Sequence, residues 1–153
     1  MRLLSPVFEH GSLIPQEYTC DGQNMSPPLL IADVPENAKS LSLIMEDPDV
    51  PTNLRPDGLF IHWMVWDMEP NVTEIPESAE APGIIGENTA GRASYTGPCP
   101  PDREHRYFFR LYALDIRLTE ARIASKQDFL KAMEGHIVAE AELMGKYKRN
   151  VLS

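Results

Sequence analysis

The chain has 153 residues, 42% of them hydrophobic and 24% charged, a composition that fits one globular domain and excludes collagen, coiled coil and long-range disorder. Its net charge of −9 argues against sequence-independent nucleic-acid binding, which neutralises phosphates with basic residues. The start, Met1-Arg2-Leu3-Leu4-Ser5-Pro6, lacks the apolar core of a signal peptide, and no apolar run is long enough to cross a membrane, so a soluble, cytoplasmic protein without integral membrane contact is expected.

Taken from the N-terminus, Leu3–Phe8 and Leu29–Ala32 read as short strands. Leu41 to Glu46 begins with period-2 alternation and becomes continuously apolar. Phe60 to Met68 and Arg106 to Leu114 are rich in aromatic and β-branched residues on both faces, which places them inside a packed structure and not on a solvated edge. In the first of these, His62 would share a face with Phe60, Met64 and Trp66, opposite Ile61, Trp63 and Val65. In the second, Tyr107, Phe109, Leu111 and Ala113 share a face, and His105 precedes them on it. Ile84–Ile85 and Lys146–Val151 are shorter candidates. The 14 prolines run from Pro6 to Pro101 and mark a loop-rich first two-thirds. Helix is predicted late. Ser125 and Asp128 form a capping pattern, and apolar residues then recur at 3–4 spacing, with Gly135 dividing helices at 126–133 and 136–144 and Gly145 as a stop. The fold class is mainly β, closed by one or two C-terminal helices.

The residues that could carry chemistry cluster. His10 and His136 read as structural. His62 and His105 interrupt apolar strands, where an imidazole loses solvation and needs a partner. Asp47 ends a strand in Asp47-Pro48-Asp49-Val50-Pro51; one of its two aspartates suits a turn and the other could orient a histidine. Gly97-Pro98-Cys99-Pro100-Pro101 is a stiff loop just before His105, followed by a basic group of Arg103, Arg106 and Arg110. The two cysteines, Cys20 and Cys99, are expected as free thiols, because the cytosol is reducing. Two imidazoles and a carboxylate admit three chemistries. These are oxyanion binding, acid–base catalysis with Cys99 as nucleophile, and a two-histidine, one-carboxylate metal site. No serine elbow, P-loop or metal-protease motif is present, and no cofactor is implied.

These segments resemble the phosphatidylethanolamine-binding protein family, in particular its bacterial and archaeal Raf-kinase-inhibitor-like branch. The resemblance runs through Tyr18–Gly22, Ser26–Leu29, Met45–Pro51, Phe60–Trp63, Gly97–Pro101, His105–Tyr107, Leu111–Asp115 and Gly135-His136 to Tyr147, spanning nearly the whole chain in order. It implies a single domain over 1–153 in which a large antiparallel sheet packs on a smaller one. It also implies a pocket for a small anionic ligand such as phosphate or phosphoethanolamine. Matched position by position, that pocket comprises Asp47, His62, His105 and Tyr107, walled by Gly97, Pro98, Cys99 and Pro100. A binding and regulatory role without catalysis follows, with inhibition of a protease or kinase or an uncharacterised hydrolysis as alternatives. The resemblance also suggests a homodimer, for which Ile61, Trp63, Val65 and the apolar groups of 69–83 offer a surface. Arg103, Ile31 and Asp67 depart from the residues frequent in relatives at those positions.

Overall fold

The computed structural model describes residues 1–149. In chain order the elements are β1 (Arg2–Leu4), a 3-10 turn (Gln16–Tyr18), β2 (Leu29–Ala32), β3 (Ser40–Asp47), β4 (Phe60–Met68), β5 (Glu74–Ile75), β6 (Ile84–Ile85), β7 (His105–Leu114), α1 (Lys126–Met133) and β8 (Ile137–Tyr147). Five strands form a large sheet in the order β6-β4-β3-β7-β8, and three form a small one, β1-β2-β5; all pairings are antiparallel. The inner face of the large sheet packs on the small sheet: Leu41, Leu43, Met45, Trp63, Val65, Phe109 and Leu111 meet Leu3, Leu29, Ile31 and Ile75. Its outer face is covered by α1, where Ile44, Met64, Trp66 and Leu114 meet Phe129 and Met133.

Both faces of β3 and β4 are therefore buried, which is why their sequences are apolar throughout. Ile75 and Ala81 are core residues, so these two of the apolar groups expected at the surface of 69–83 instead close the small sheet from within, while Pro76 and Pro82 stay exposed. Ile61, Trp63 and Val65, suggested for self-association, are likewise buried within the chain.

Only one of the two C-terminal helices forms. At α1 the Ser125 hydroxyl accepts from Asp128 N (3.1 Å), and the Asp128 carboxylate accepts from Ala124 N (3.0 Å). Gly135, at φ +81°, turns the chain out of the helix, a conformation costly for other residues. The stretch assigned to a second helix, 136–144, belongs instead to β8. The residues Ile137-Val138-Ala139-Glu140-Ala141-Glu142-Leu143 also alternate at period two. Pairing with β7 over Leu114↔Ile137 to His105↔Tyr147 selects that reading. Gly145 lies inside this strand, opposite Tyr107, where a Cβ would stand 2.4 Å from the Ile14 side chain. The strand predicted at Lys146–Val151 is the end of β8, and its last two residues lie outside the described ones. Likewise Leu3–Phe8 contracts to β1, and β5 is an additional strand.

Candidate functional site

Strand β3 runs antiparallel to both neighbours, so its C-terminal end meets the beginnings of β4 and β7. That topology brings Asp47, Phe60, His62, His105 and Tyr107 together at one end of the inner face. They line a pocket of about 320 Å³ with Val50, Leu54, Arg55, Thr96, Gly97, Cys99, Pro100 and Pro101.

A β-bulge sets the orientation of His62. Met45 pairs with Trp63 and the next residue, Glu46, pairs with Ile61, leaving His62 without a cross-strand partner. The bulge breaks the alternation of side chains. Ile61 packs with Met64 and Trp66 on the helix side, while Trp63 and Val65 enter the inter-sheet core. His62 is thereby moved off the Met64–Trp66 face expected for it and packs against Phe60 (ring centroids 4.6 Å apart) and Tyr107 (5.3 Å). Residues 88–96 take up the displaced backbone: Thr96 N and Asn88 Nδ2 both donate to the His62 carbonyl oxygen. A second bulge, opposite Leu41–Leu43, holds Asp67 at φ +57°, where its carboxylate accepts from Leu118 N and the Thr119 hydroxyl. Aspartate tolerates this left-handed conformation better than most residues.

The protonation of His62 follows from its partner. Its Nδ1 lies 2.6 Å from the Thr96 carbonyl oxygen, which can only accept, so Nδ1 carries the proton and Nε2 is left as an acceptor in the neutral ring. Burial holds the imidazole pKa down to about 4, against the hydrogen bond to Thr96. The ring is consequently neutral near pH 7, and His62 is not the cationic donor that a two-histidine anion site would use.

His105 is fully buried, and both of its ring nitrogens face carboxylates: Nδ1 lies 2.6 Å from Asp47 Oδ2 and Nε2 lies 2.6 Å from Asp102 Oδ1. Asp47 also accepts from Asp49 N at 2.8 Å, so one aspartate serves both the turn and the histidine. Burial raises the Asp47 carboxyl, against the His105 bond. Asp49 instead grips Arg106 through both oxygens (2.9 and 2.8 Å), and that guanidinium holds its carboxyl below the usual range. The basic group therefore disperses. Arg110 lies on the opposite face of the sheet with Glu46, and Lys126 at the start of α1 joins the same carboxylate.

Tyr107 has no exposed surface, and among the described residues its hydroxyl finds no protein partner. Burial and the nearby Asp47 charge raise its pKa above the ordinary tyrosine value.

The pocket loop is anchored to the chain's early turn. Gly97 N donates to Asn24 Oδ1 (2.8 Å), Cys20 N to the Pro98 carbonyl oxygen (3.1 Å) and the Tyr95 hydroxyl to the Tyr18 carbonyl oxygen (2.6 Å). A Cβ on Gly97 would stand 2.3 Å from Asn24 Oδ1 and 2.4 Å from the Tyr18 carbonyl oxygen, so only glycine allows this approach. Cys20 and Cys99 are joined by a disulfide with Cα atoms 5.4 Å apart, which corrects the expectation of free thiols and removes Cys99 as a nucleophile in this state. The sequence shows two stiff loops but not that they meet. Pro98 is displaced from its expected role as well: it sits behind the wall, tied to Cys20, and does not line the pocket. The two-histidine, one-carboxylate metal set does not assemble either, since three of its four ring nitrogens already have partners, and no metal-holding cluster occurs among the described residues.

Sequence reasoning missed Thr96, Arg55 and Asp102. Thr96 precedes the singled-out loop directly and Asp102 follows it, so widening that loop by one residue at each end would have found both. Arg55 carried no signal. His10 and His136 are held by Met144 N (3.0 Å) and the Asp115 carboxylate (2.9 Å), away from the pocket.

Comparison with known proteins agrees with this architecture. The phosphatidylethanolamine-binding protein family profile matches residues 4–148. A UPF0098 protein of Chlamydia pneumoniae is 51% identical over 150 residues, covering 98% of this chain and 100% of that protein. One from Methanothermobacter thermautotrophicus is 45% identical, covering 97% and 99%. Among crystal structures, a phosphatidylethanolamine-binding protein homologue from Chlamydia trachomatis superposes with a TM-score of 0.94 at 50% identity, covering 97% of each chain. Escherichia coli YbcL, described as a member of the mammalian family, gives 0.83 at 26% identity, covering 97% of this chain and 98% of its own. With the profile spanning almost every described residue and the same two-sheet fold in both solved relatives, the chain belongs to the phosphatidylethanolamine-binding protein family.

Proposed function

We propose that the pocket binds a small ligand bearing a phosphoryl or similar oxyanion group, of the size of phosphate or phosphoethanolamine, in a binding and regulatory role without catalysis. The observation that carries this reading is the Tyr107 hydroxyl, a buried polar group with no protein partner in a pocket wall. Such a group costs stability unless a ligand completes it. The pocket volume, about 320 Å³, suits a small ligand. Arg55 brings a cation to its wall, and neutral His62 offers an acceptor. An acceptor at this position favours an oxyanion that keeps a proton, as hydrogen phosphate does, over sulfate, which has none to donate.

Calorimetry at pH 7 with inorganic phosphate, phosphoethanolamine and sulfate tests the reading. Binding of the phosphates, weaker binding of sulfate and loss of phosphate binding in Tyr107→Phe are expected. Absence of binding by every probe would overturn it, and equal binding of sulfate would remove the acceptor role from His62.

The homodimer belongs to this proposal through family resemblance, and light scattering over a tenfold concentration range tests it. For location, no helix among the described residues is long and apolar enough to cross a membrane. Disulfides persist in oxidising compartments and are rare in the cytosol. Alkylation in freshly lysed cells tests the cytoplasmic reading: Cys20 and Cys99 found reduced would support it, and a bond found intact would favour an oxidising compartment.

A further inference from the structure

The two carboxylates on His105 are not equivalent. Asp47 ends a central strand, its side chain is 4% exposed, and its second oxygen is used by the backbone of the turn it closes. Asp102 is 37% exposed and sits in the exposed run Pro101–Glu104; its charged neighbour besides His105 is Arg103, 3.6 Å away and itself at the surface. Rotating the Asp47 side chain would break a buried turn. Turning Asp102 outward would exchange His105 for water and Arg103.

Counting protons sharpens the contrast. Each ring nitrogen of His105 meets a carboxylate oxygen at 2.6 Å, so each contact needs one proton. An imidazolium between two carboxylates satisfies this, and so does a neutral ring with one protonated carboxyl. Either way the three groups together carry one negative charge. An incoming oxyanion would add to that charge while finding no ring nitrogen of His105 free. If Asp102 turns away as the oxyanion arrives, Nε2 keeps an anionic acceptor, and the departing carboxylate offsets one unit of the incoming charge.

We propose that Asp102 is a built-in competitor for the anionic ligand, occupying His105 Nε2 in the unliganded protein and setting the affinity and selectivity of the site by how readily it yields. This rests on the oxyanion-binding reading above. It makes an unusual claim about sign: removing a residue from the edge of the pocket should improve binding.

The experiment is calorimetric titration of inorganic phosphate into the parent protein, Asp102→Ala, Asp102→Asn and the double variant Asp102→Ala/His105→Ala. A competing charge-assisted hydrogen bond at a half-exposed site corresponds to about tenfold in affinity. Asp102→Ala is expected to bind phosphate roughly tenfold more tightly than the parent. Asp102→Asn, which keeps an acceptor but not the charge, should gain less, and the double variant should lose the gain. Phosphate binding detectable only in Asp102→Ala, with phosphoethanolamine still bound by the parent, would support the proposal equally. Equal or weaker phosphate binding in Asp102→Ala, with the parent binding normally, would overturn the competitor and leave the pocket reading intact. Phosphate binding by none of the four proteins would overturn both.

Discussion

Replacing Tyr107 by phenylalanine should make the protein more stable and a poorer binder. The ring itself is well placed: it lies in the inter-sheet core, opposite Gly145, with the rings of His62 and His105 at 5.3 and 6.4 Å. Phenylalanine retains all of that packing and deletes only the hydroxyl, which has no exposed surface and no protein partner among the described residues. Leaving a buried polar group unsatisfied costs about 1–3 kcal/mol. Removing it should therefore stabilise the unliganded protein by about 1–2 kcal/mol. For a domain of this size that raises Tm by roughly 2–8 °C. Urea unfolding checks the same quantity: the midpoint should rise with an unchanged slope, because the surface exposed on unfolding hardly differs. Adding inorganic phosphate should shrink or reverse the advantage, since only the parent gains binding energy in proportion to ligand concentration over Kd. A variant less stable than the parent by about 1 kcal/mol or more would refute the reasoning, because it would mean that the hydroxyl makes a stabilising bond in the unliganded protein.

Three further outcomes are expected. His62 should titrate near pH 4 by NMR; the folded state then binds fewer protons than the unfolded one, so stability falls as pH drops from about 6.5 towards 4, by roughly 3 kcal/mol, and a midpoint at 6.5 or above would contradict the buried neutral ring. Thiol titration of the denatured, unreduced protein should count zero, and Cys20→Ser should lower stability by about 4–5 kcal/mol, the chain-entropy scale for opening a constraint 79 residues long; a count of two would show that the bond is not formed. Glu46→Gln should cost about 2–3 kcal/mol in urea unfolding, because a buried carboxylate that bonds Arg110 and Lys126 at 2.8 and 2.5 Å loses its charge; a change under ~0.5 kcal/mol would show that those two cations reach water without cost.

Much of this molecule is written in local patterns. The boundaries of β2, β4 and β6, the start of α1 and the division of β7 into two faces follow from burial and capping rules that act over a few residues. That an aspartate at the end of β3 would orient a histidine was also legible, because a carboxylate at a strand end and a histidine embedded in an apolar strand each need a partner; that the pair is Asp47 with His105 was not. What lay beyond the sequence depends on pairing between distant segments. Residues 137–143 satisfy a helical and a strand period at once, and only the free edge of β7 selects the strand. The bulge at His62 has no signature in β4 itself; it is a mismatch of register between β4 and β3, and it reverses which face the histidine joins. The Cys20–Cys99 bond and the placement of Asp102 on the second nitrogen of His105 are likewise decided by where loops come to rest against one another. Local sequence determines which groups need partners. Tertiary packing decides which partners they get, because that choice is made by distances and registers that no short stretch of chain contains.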